Sequence, residues 1–188
     1  MTGEEPMREE EIRAAHVGEA PRLDGPVRLD AYDPGWPAAY ARQAGRIRAA
    51  LGDAVLRLEH VGSTAVPGLP AKPVLDVVLA VRDPAEEAAY VPALEAAGYR
   101  LAIREPGWYE HRLLRHADPA QNLHVFPAGC AEIDRMLRFR DRLRADAADR
   151  ALYARTKREL ARRTWAYMQN YADAKARVVA EILARSER

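Results

Sequence analysis

The sequence predicts an α/β (α+β) fold, a mixed β-sheet flanked by helices with a helical C-terminal part. Three observations carry this. Between Val27 and Phe126, apolar runs of strand length are interleaved with segments of helical period. Tyr109 to Arg115 and Asn122 to Phe126 read as two antiparallel strands joined by His116-Ala117-Asp118-Pro119-Ala120-Gln121. Beyond Ala131 every apolar stripe has helical spacing.

Taken in order, residues 1–25 form an acidic, partly disordered extension with a short helix over Arg8–Ala15, and residues 26–188 form a single domain. Val27 to Ala31 alternates as a short strand. Trp36, Tyr40, Ala44, Ile47 and Leu51 then mark one face of a helix that Gly52 ends. Val55 to Val61 is strand-like and stops at Gly62-Ser63; a Pro/Gly-punctuated loop carrying Lys72 leads to a second strand, Val74 to Val81, which bears Asp76. Asp83 caps a helix with Pro84 in its first position and Glu86 and Glu87 in its first turn, ending at Gly98. A strand over Tyr99 to Arg104 precedes the hairpin. Ile133, Met136, Leu137 and Leu143 define one later helix, Leu152, Leu160 and Trp165 another, and Val178, Val179, Ile182 and Leu183 the last.

Composition narrows the function. Among 188 residues, 29 Lys and Arg balance 28 Asp and Glu, so no global charge draws the chain to nucleic acid or an anionic membrane; a local arginine patch over 135–144 is the one feature favouring a polynucleotide. A lone cysteine, Cys130, excludes an internal disulfide framework and suits a reducing compartment. With no apolar run of membrane-spanning length and no signal-like N terminus, a cytoplasmic protein, monomer or homodimer, is expected.

The chemistry concentrates in residues 59–76. Gly62 permits close backbone approach to a ligand, and Ser63 adds a hydroxyl and an N–H suited to phosphate oxygens. Asp76 lies in an otherwise apolar run, where an unpaired carboxylate is costly, so it faces a cleft or a cation. Lys72 either contacts phosphate or neutralises Asp76. Alternation puts Asn122, His124 and Phe126 on one strand face; His124 there is a metal ligand, a general base or a hydrogen-bonded spacer. Glu110, His111 and Arg112 add an acid, a base and a cation on the neighbouring strand. Only one of Glu59 and His60 can share the cleft with Asp76, and Glu59 is favoured. Tyr153 with Lys157 and Tyr171 with Lys175 are spaced as aromatic–amine pairs, a spacing that surface packing explains better than nucleotide contact.

Together with these residues, Tyr32-Asp33-Pro34-Gly35-Trp36, the run Glu59-His60-Val61-Gly62-Ser63-Thr64-Ala65-Val66-Pro67-Gly68-Leu69, Lys72-Pro73-Val74-Leu75-Asp76-Val77, Leu123-His124-Val125, Phe139-Arg140-Asp141 and Tyr171…Lys175 make the chain resemble the GrpB family. That group lies within the nucleotidyltransferase superfamily and is also found fused to some dephospho-CoA kinases. The resemblance implies a nucleotidyltransferase-like sheet whose Gly-Ser turn grips the phosphates of a nucleotide. It implies phosphate contacts from Gly62, Ser63, Thr64 and Lys72, substrate contacts from His111, Arg112, Arg140 and Lys175, and catalytic roles for Asp76, His124 and Glu59. In the superfamily an Asp-x-Asp pair and a third acid hold two Mg²⁺ ions for attack on the α-phosphate. Here Asp76 matches the first acid, Val78 stands at the second, and His124 lies on the third-acid strand. A single Mg²⁺ or Mn²⁺ is therefore expected on Asp76 and His124, with Glu59 or Glu110 as the acids that could compensate for the lost one. The implied activity is metal-assisted transfer from a nucleotide or other phosphorylated small molecule to a small-molecule or protein acceptor. The rival expectations are a non-catalytic nucleotide or metabolite binder, and a repurposed cleft using His124 or His111 as acid and base.

Overall fold

A computed structural model describes residues 6–186; the disorder expected at the extreme N terminus falls on residues 1–5, outside that range. Strands β1 (Arg57–Val61), β2 (Leu75–Val81), β3 (Arg100–Glu105), β4 (His111–Ala117) and β5 (Ala120–Pro127) form one sheet in the order β1-β2-β5-β4-β3. β2 and β5 run parallel and the other neighbours antiparallel, so the sheet is mixed as the sequence predicts.

Side chains alternate across this sheet and give it two unlike faces. One carries Leu75, Val77, Leu79 and Val81 of β2 with Leu123 and Val125 of β5. It is closed by helix α2 (Trp36–Leu51) and helix α3 (Val91–Ala96). Buried Ala39, Ala44 and Ile47 of α2 repeat at helical spacing, and Gly52, at φ +52°, ends the helix. Each fully buried aliphatic such as Ile47, Leu79 or Leu94 contributes roughly 1.5–3 kcal/mol to this core. On the opposite face Val61, Val78, Ala80 and Phe126 lie under Ile133 and Leu137 of helix α4 (Ala131–Ala145). Past these residues that face is left open to a cavity. Helices α5 (Ala147–Ala161), α6 (Met168–Asp173) and α7 (Ala176–Ser186), with the N-terminal helix α1 (Glu9–Ala15), enclose it.

Three local expectations change. Val27 to Ala31 forms no strand; Val27 donates its N–H to Ala161 O and Asp30 makes a single bridge to Ala71. The helix expected from Pro84 begins only at Val91, after a 3₁₀ turn over Glu87–Ala89. Pro92 explains the delay, because it lacks an N–H and is tolerated only in a first turn. Asp83 still caps, accepting from the N–H of Ala85. Trp165 lies beyond α5 and pairs with Gly25 instead. Residues 6–25 are packed on the domain, with Ile12, Ala20 and Tyr167 in one small core.

Candidate functional site

The site starts where β1 ends. Gly62 adopts φ +68°, and a Cβ there would lie 2.6 Å from Asp76 Oδ2, so only glycine lets the turn and the carboxylate approach. The following turn, Ser63–Ala65, presents the Ser63 hydroxyl to Lys157, whose Nζ donates to Ser63 Oγ at 2.8 Å and to Pro70 O at 2.5 Å. Thr64 Oγ1 is engaged by His60 Nε2 at 2.9 Å, and His60 stacks on Tyr40. Burial lowers His60 to about 4 and keeps it neutral.

Parallel pairing of β2 with β5 sets Asp76 beside Asn122 and Val78 beside His124. Asn122 Nδ2 donates to Asp76 Oδ1 at 2.9 Å, and His124 Nε2 stands 3.9 Å from the same oxygen. Burial alone would raise the Asp76 pKa; the His124 ring, Lys72 and Asn122 outweigh it and hold the carboxyl at about 2. Behind His124 runs a chain of hydrogen bonds. Its Nδ1 lies 3.1 Å from His111 Nε2, and His111 Nδ1 lies 2.7 Å from Glu105 Oε2. Burial, against Phe126 and Trp108, lowers His111 to about 4. Although burial opposes it, the His111 hydrogen bond keeps Glu105 below the usual carboxylate range. An ionised Glu105 only accepts, so neutral His111 carries its proton on Nδ1 and accepts at Nε2. His124 then donates through Nδ1, and its Nε2 faces Asp76.

Cations surround this centre. Lys157 is 2 % exposed and is lowered to about 6 by burial. Lys175 sits 4.5 Å over the Tyr171 ring and is lowered to about 8, again by burial. Burial also lowers Lys72, and it lowers Arg115, which pairs with Asn122 across β4 and β5. Among the described residues none of these four forms a salt bridge with a carboxylate. All four line a cavity of about 1010 Å³ with Ser63, Asp76 and His124. Met7, Ile12 and His16 of the N-terminal segment wall its far side.

Of the residues singled out in the sequence, Gly62, Ser63, Thr64, Lys72, Asp76, His111, His124 and Lys175 come together here. Glu59, Arg112 and Arg140 do not. Glu59 shares the sheet face of Asp76, as the alternation requires, but it lies beneath α4, where Arg140 Nη1 reaches its Oε2 at 3.2 Å. Arg140 also donates to His60 O, and both residues border a separate hollow of about 310 Å³. Arg112 follows His111 on the strand and so projects through the other face, where its Nε donates to Glu87 Oε1 at 2.6 Å. Arg115 was not identified, and Lys157 was noted only as the partner of Tyr153 in a pair ascribed to surface packing. The signal for Lys157 was its place on the apolar line of Tyr153 and Leu160, where a solvated lysine does not belong. Arg115 was legible as the strand alternate of His111 and Leu113. The Tyr153–Lys157 and Tyr171–Lys175 pairs are cavity wall rather than surface packing.

The donor set does not suit the expected Mg²⁺ or Mn²⁺. Val78, at the second-acid position, is fully buried, and Asp76 Oδ1 already accepts from Asn122. No group of three or more His, Cys, Asp or Glu side chains among the described residues is placed to share an ion. Nor is any described helix long and apolar enough to cross a membrane.

Known proteins share this chain's sequence and fold. The sequence profile of the family described as GrpB protein matches residues 26–185. A UPF0157 protein of Halalkalibacterium halodurans is 52% identical over 181 residues, 96% of this chain and 93% of that protein. A dephospho-CoA kinase of Mycolicibacterium paratuberculosis is 35% identical over 164 residues, 73% of this chain but 40% of the kinase. The crystal structure of the conserved protein GrpB from Enterococcus faecalis superposes with a TM-score of 0.73 at 28% identity, covering 86% of this chain and all of that one. With its sheet matched in a solved GrpB structure and its sequence matched from residue 26 to residue 185, the chain belongs to the GrpB family.

Proposed function

We propose that the cavity binds a phosphate-bearing donor, a nucleotide, and that the protein transfers its phosphate-linked group to a small-molecule or protein acceptor, as a nucleotidyltransferase does. One observation carries the reading: a half-open cavity gathers Ser63 with Lys72, Arg115, Lys157 and Lys175, none of the four in a salt bridge among the described residues, opposite an ionised Asp76 and the Nε2 of His124. Ser63, Lys157, Lys175, Lys72 and Arg115 would hold the phosphate oxygens through charge-assisted hydrogen bonds. His124 Nε2 would take the proton of an acceptor hydroxyl as its oxygen attacks the α-phosphorus. The bond to the β-phosphate oxygen would break, and pyrophosphate would leave with its negative charge held by the basic side chains. Asp76 would stabilise the imidazolium that forms. Glu105 and His111 position the ring for that step.

Buried Val78 favours a second reading, a nucleotide binder without turnover. Incubation with ATP, GTP, CTP or UTP, with and without divalent ions, and measurement of phosphate and pyrophosphate release separates the two. Release that falls about 100-fold or more in Asp76→Ala and His124→Gln, with both variants folded by circular dichroism, supports transfer. Binding without release supports the second reading, and no calorimetric binding of any nucleotide sinks both.

A further inference from the structure

The expected metal ions and the observed cations answer the same physical need, because either can neutralise phosphate oxygens. The two solutions compete for space and charge. A divalent ion needs converging oxygen donors, and the carboxylate at the centre, Asp76, already accepts from Asn122 at Oδ1. The other acids of the cavity are engaged: Glu105 accepts from His111, Glu132 accepts from Arg135 at 2.9 Å, and Asp173 accepts from the Met7 N–H at 2.9 Å and from Gln169 at 2.7 Å. Val78 cannot be replaced by a small shift, since it lies at 0% exposure in the core under α4. Beside these acids stand Lys72, Arg115, Lys157 and Lys175, which line the same cavity and form no salt bridge among the described residues, and burial lowers all four. A further double charge would meet repulsion from these four side chains, whereas a polyphosphate would relieve it.

We infer that Lys72, Arg115, Lys157 and Lys175 replace the divalent ions, so that the site takes a metal-free pyrophosphate group. This rests on the phosphate reading above and adds to it the form of the ligand. Lys157 is anchored to the Gly-Ser turn through Ser63 and lies at the phosphate end. Arg115 faces the same cleft from the sheet and offers a planar fork suited to two phosphate oxygens.

The test is calorimetric titration of the full-length protein with inorganic pyrophosphate, in EDTA and again in excess Mg²⁺. We expect binding in EDTA that Mg²⁺ leaves unchanged or weakens by sequestering the ligand. Lys157→Met and Lys175→Met, each checked for folding by thermal denaturation, should weaken it about tenfold or more. Binding that requires Mg²⁺ would overturn the inference and leave the phosphate reading standing. Metal-free binding that neither lysine variant weakens would overturn it as well. Absence of binding under both conditions would overturn inference and reading together.

Discussion

Arg112 and Arg115 sit three residues apart on β4 and point through opposite faces of the sheet. Arg112 is buried with its Nε on Glu87, which also binds Arg104 at 2.7 Å in two places, and with Nη1 on Glu110 O. Arg115 is half-buried beside Asn122 and meets no carboxylate. On one face the buried Arg112 is paired with a carboxylate, while on the cavity face four basic side chains form no salt bridge among the described residues. A fold gains nothing by burying an unpaired cation, so the second group is explained by something that arrives from outside.

Replacing each arginine in turn is the strongest way to break that contrast. Arg112→Ala leaves Glu87 with one partner fewer in a partly buried site and should lower unfolding free energy by about 3 kcal/mol. Arg115→Ala should change it by no more than about 0.5 kcal/mol. Urea denaturation of the two variants decides the matter, and comparable losses would mean that Arg115 serves the fold too.

Lys157 sharpens the comparison through pH. Its pKa is about 6 in the folded protein, by burial, against about 10.4 in an unfolded chain. Between those values the unfolded state binds the extra proton, so ligand-free stability rises with pH across the window, by at most about 1.4 kcal/mol per unit. The cost of Lys157 is fully present below pH 6 and fades towards pH 10. Lys157→Met should therefore stabilise the ligand-free protein at pH 7 by about 1–2 kcal/mol, and it should flatten the rise at alkaline pH. A midpoint equal to or below that of the parent at pH 7 would show the ammonium group to be well satisfied without ligand.

Strand alternation made much of the centre legible. Asp76, Asn122 and His124 share a face because their strands alternate, and Glu59 rather than His60 joins them for the same reason. Gly62 was readable as a point of close approach, though not that the approaching group is Asp76 itself. What failed to show depends on contacts far apart in sequence. Lys157 reaches Ser63 only because α5 returns across the β1 turn, and no local pattern encodes that return. Nor does local pattern say that Met7 binds Asp173 and brings the acidic N-terminal segment over the cavity. Arg112 was a different kind of miss, since adjacency to His111 already forbade both from facing one cleft.

Glu59 provides the smallest and most specific test of the boundary between the two kinds of charge. It lies on the cavity-facing side of the sheet, yet its carboxylate is held by Arg140 at 3.2 Å and lies near Arg57 at 3.6 Å, under α4 and away from Asp76. Arg140 keeps its bonds to His60 O and to Asp141 when the Glu59 charge is removed. The loss is thus that of a partly solvated ion pair, and Glu59→Gln should cost about 0.2–1 kcal/mol in urea denaturation. Pyrophosphate affinity should be unchanged, because no atom of the cavity wall moves or loses charge. A marked change in affinity would extend the site beneath α4 and return Glu59 to the group around Asp76.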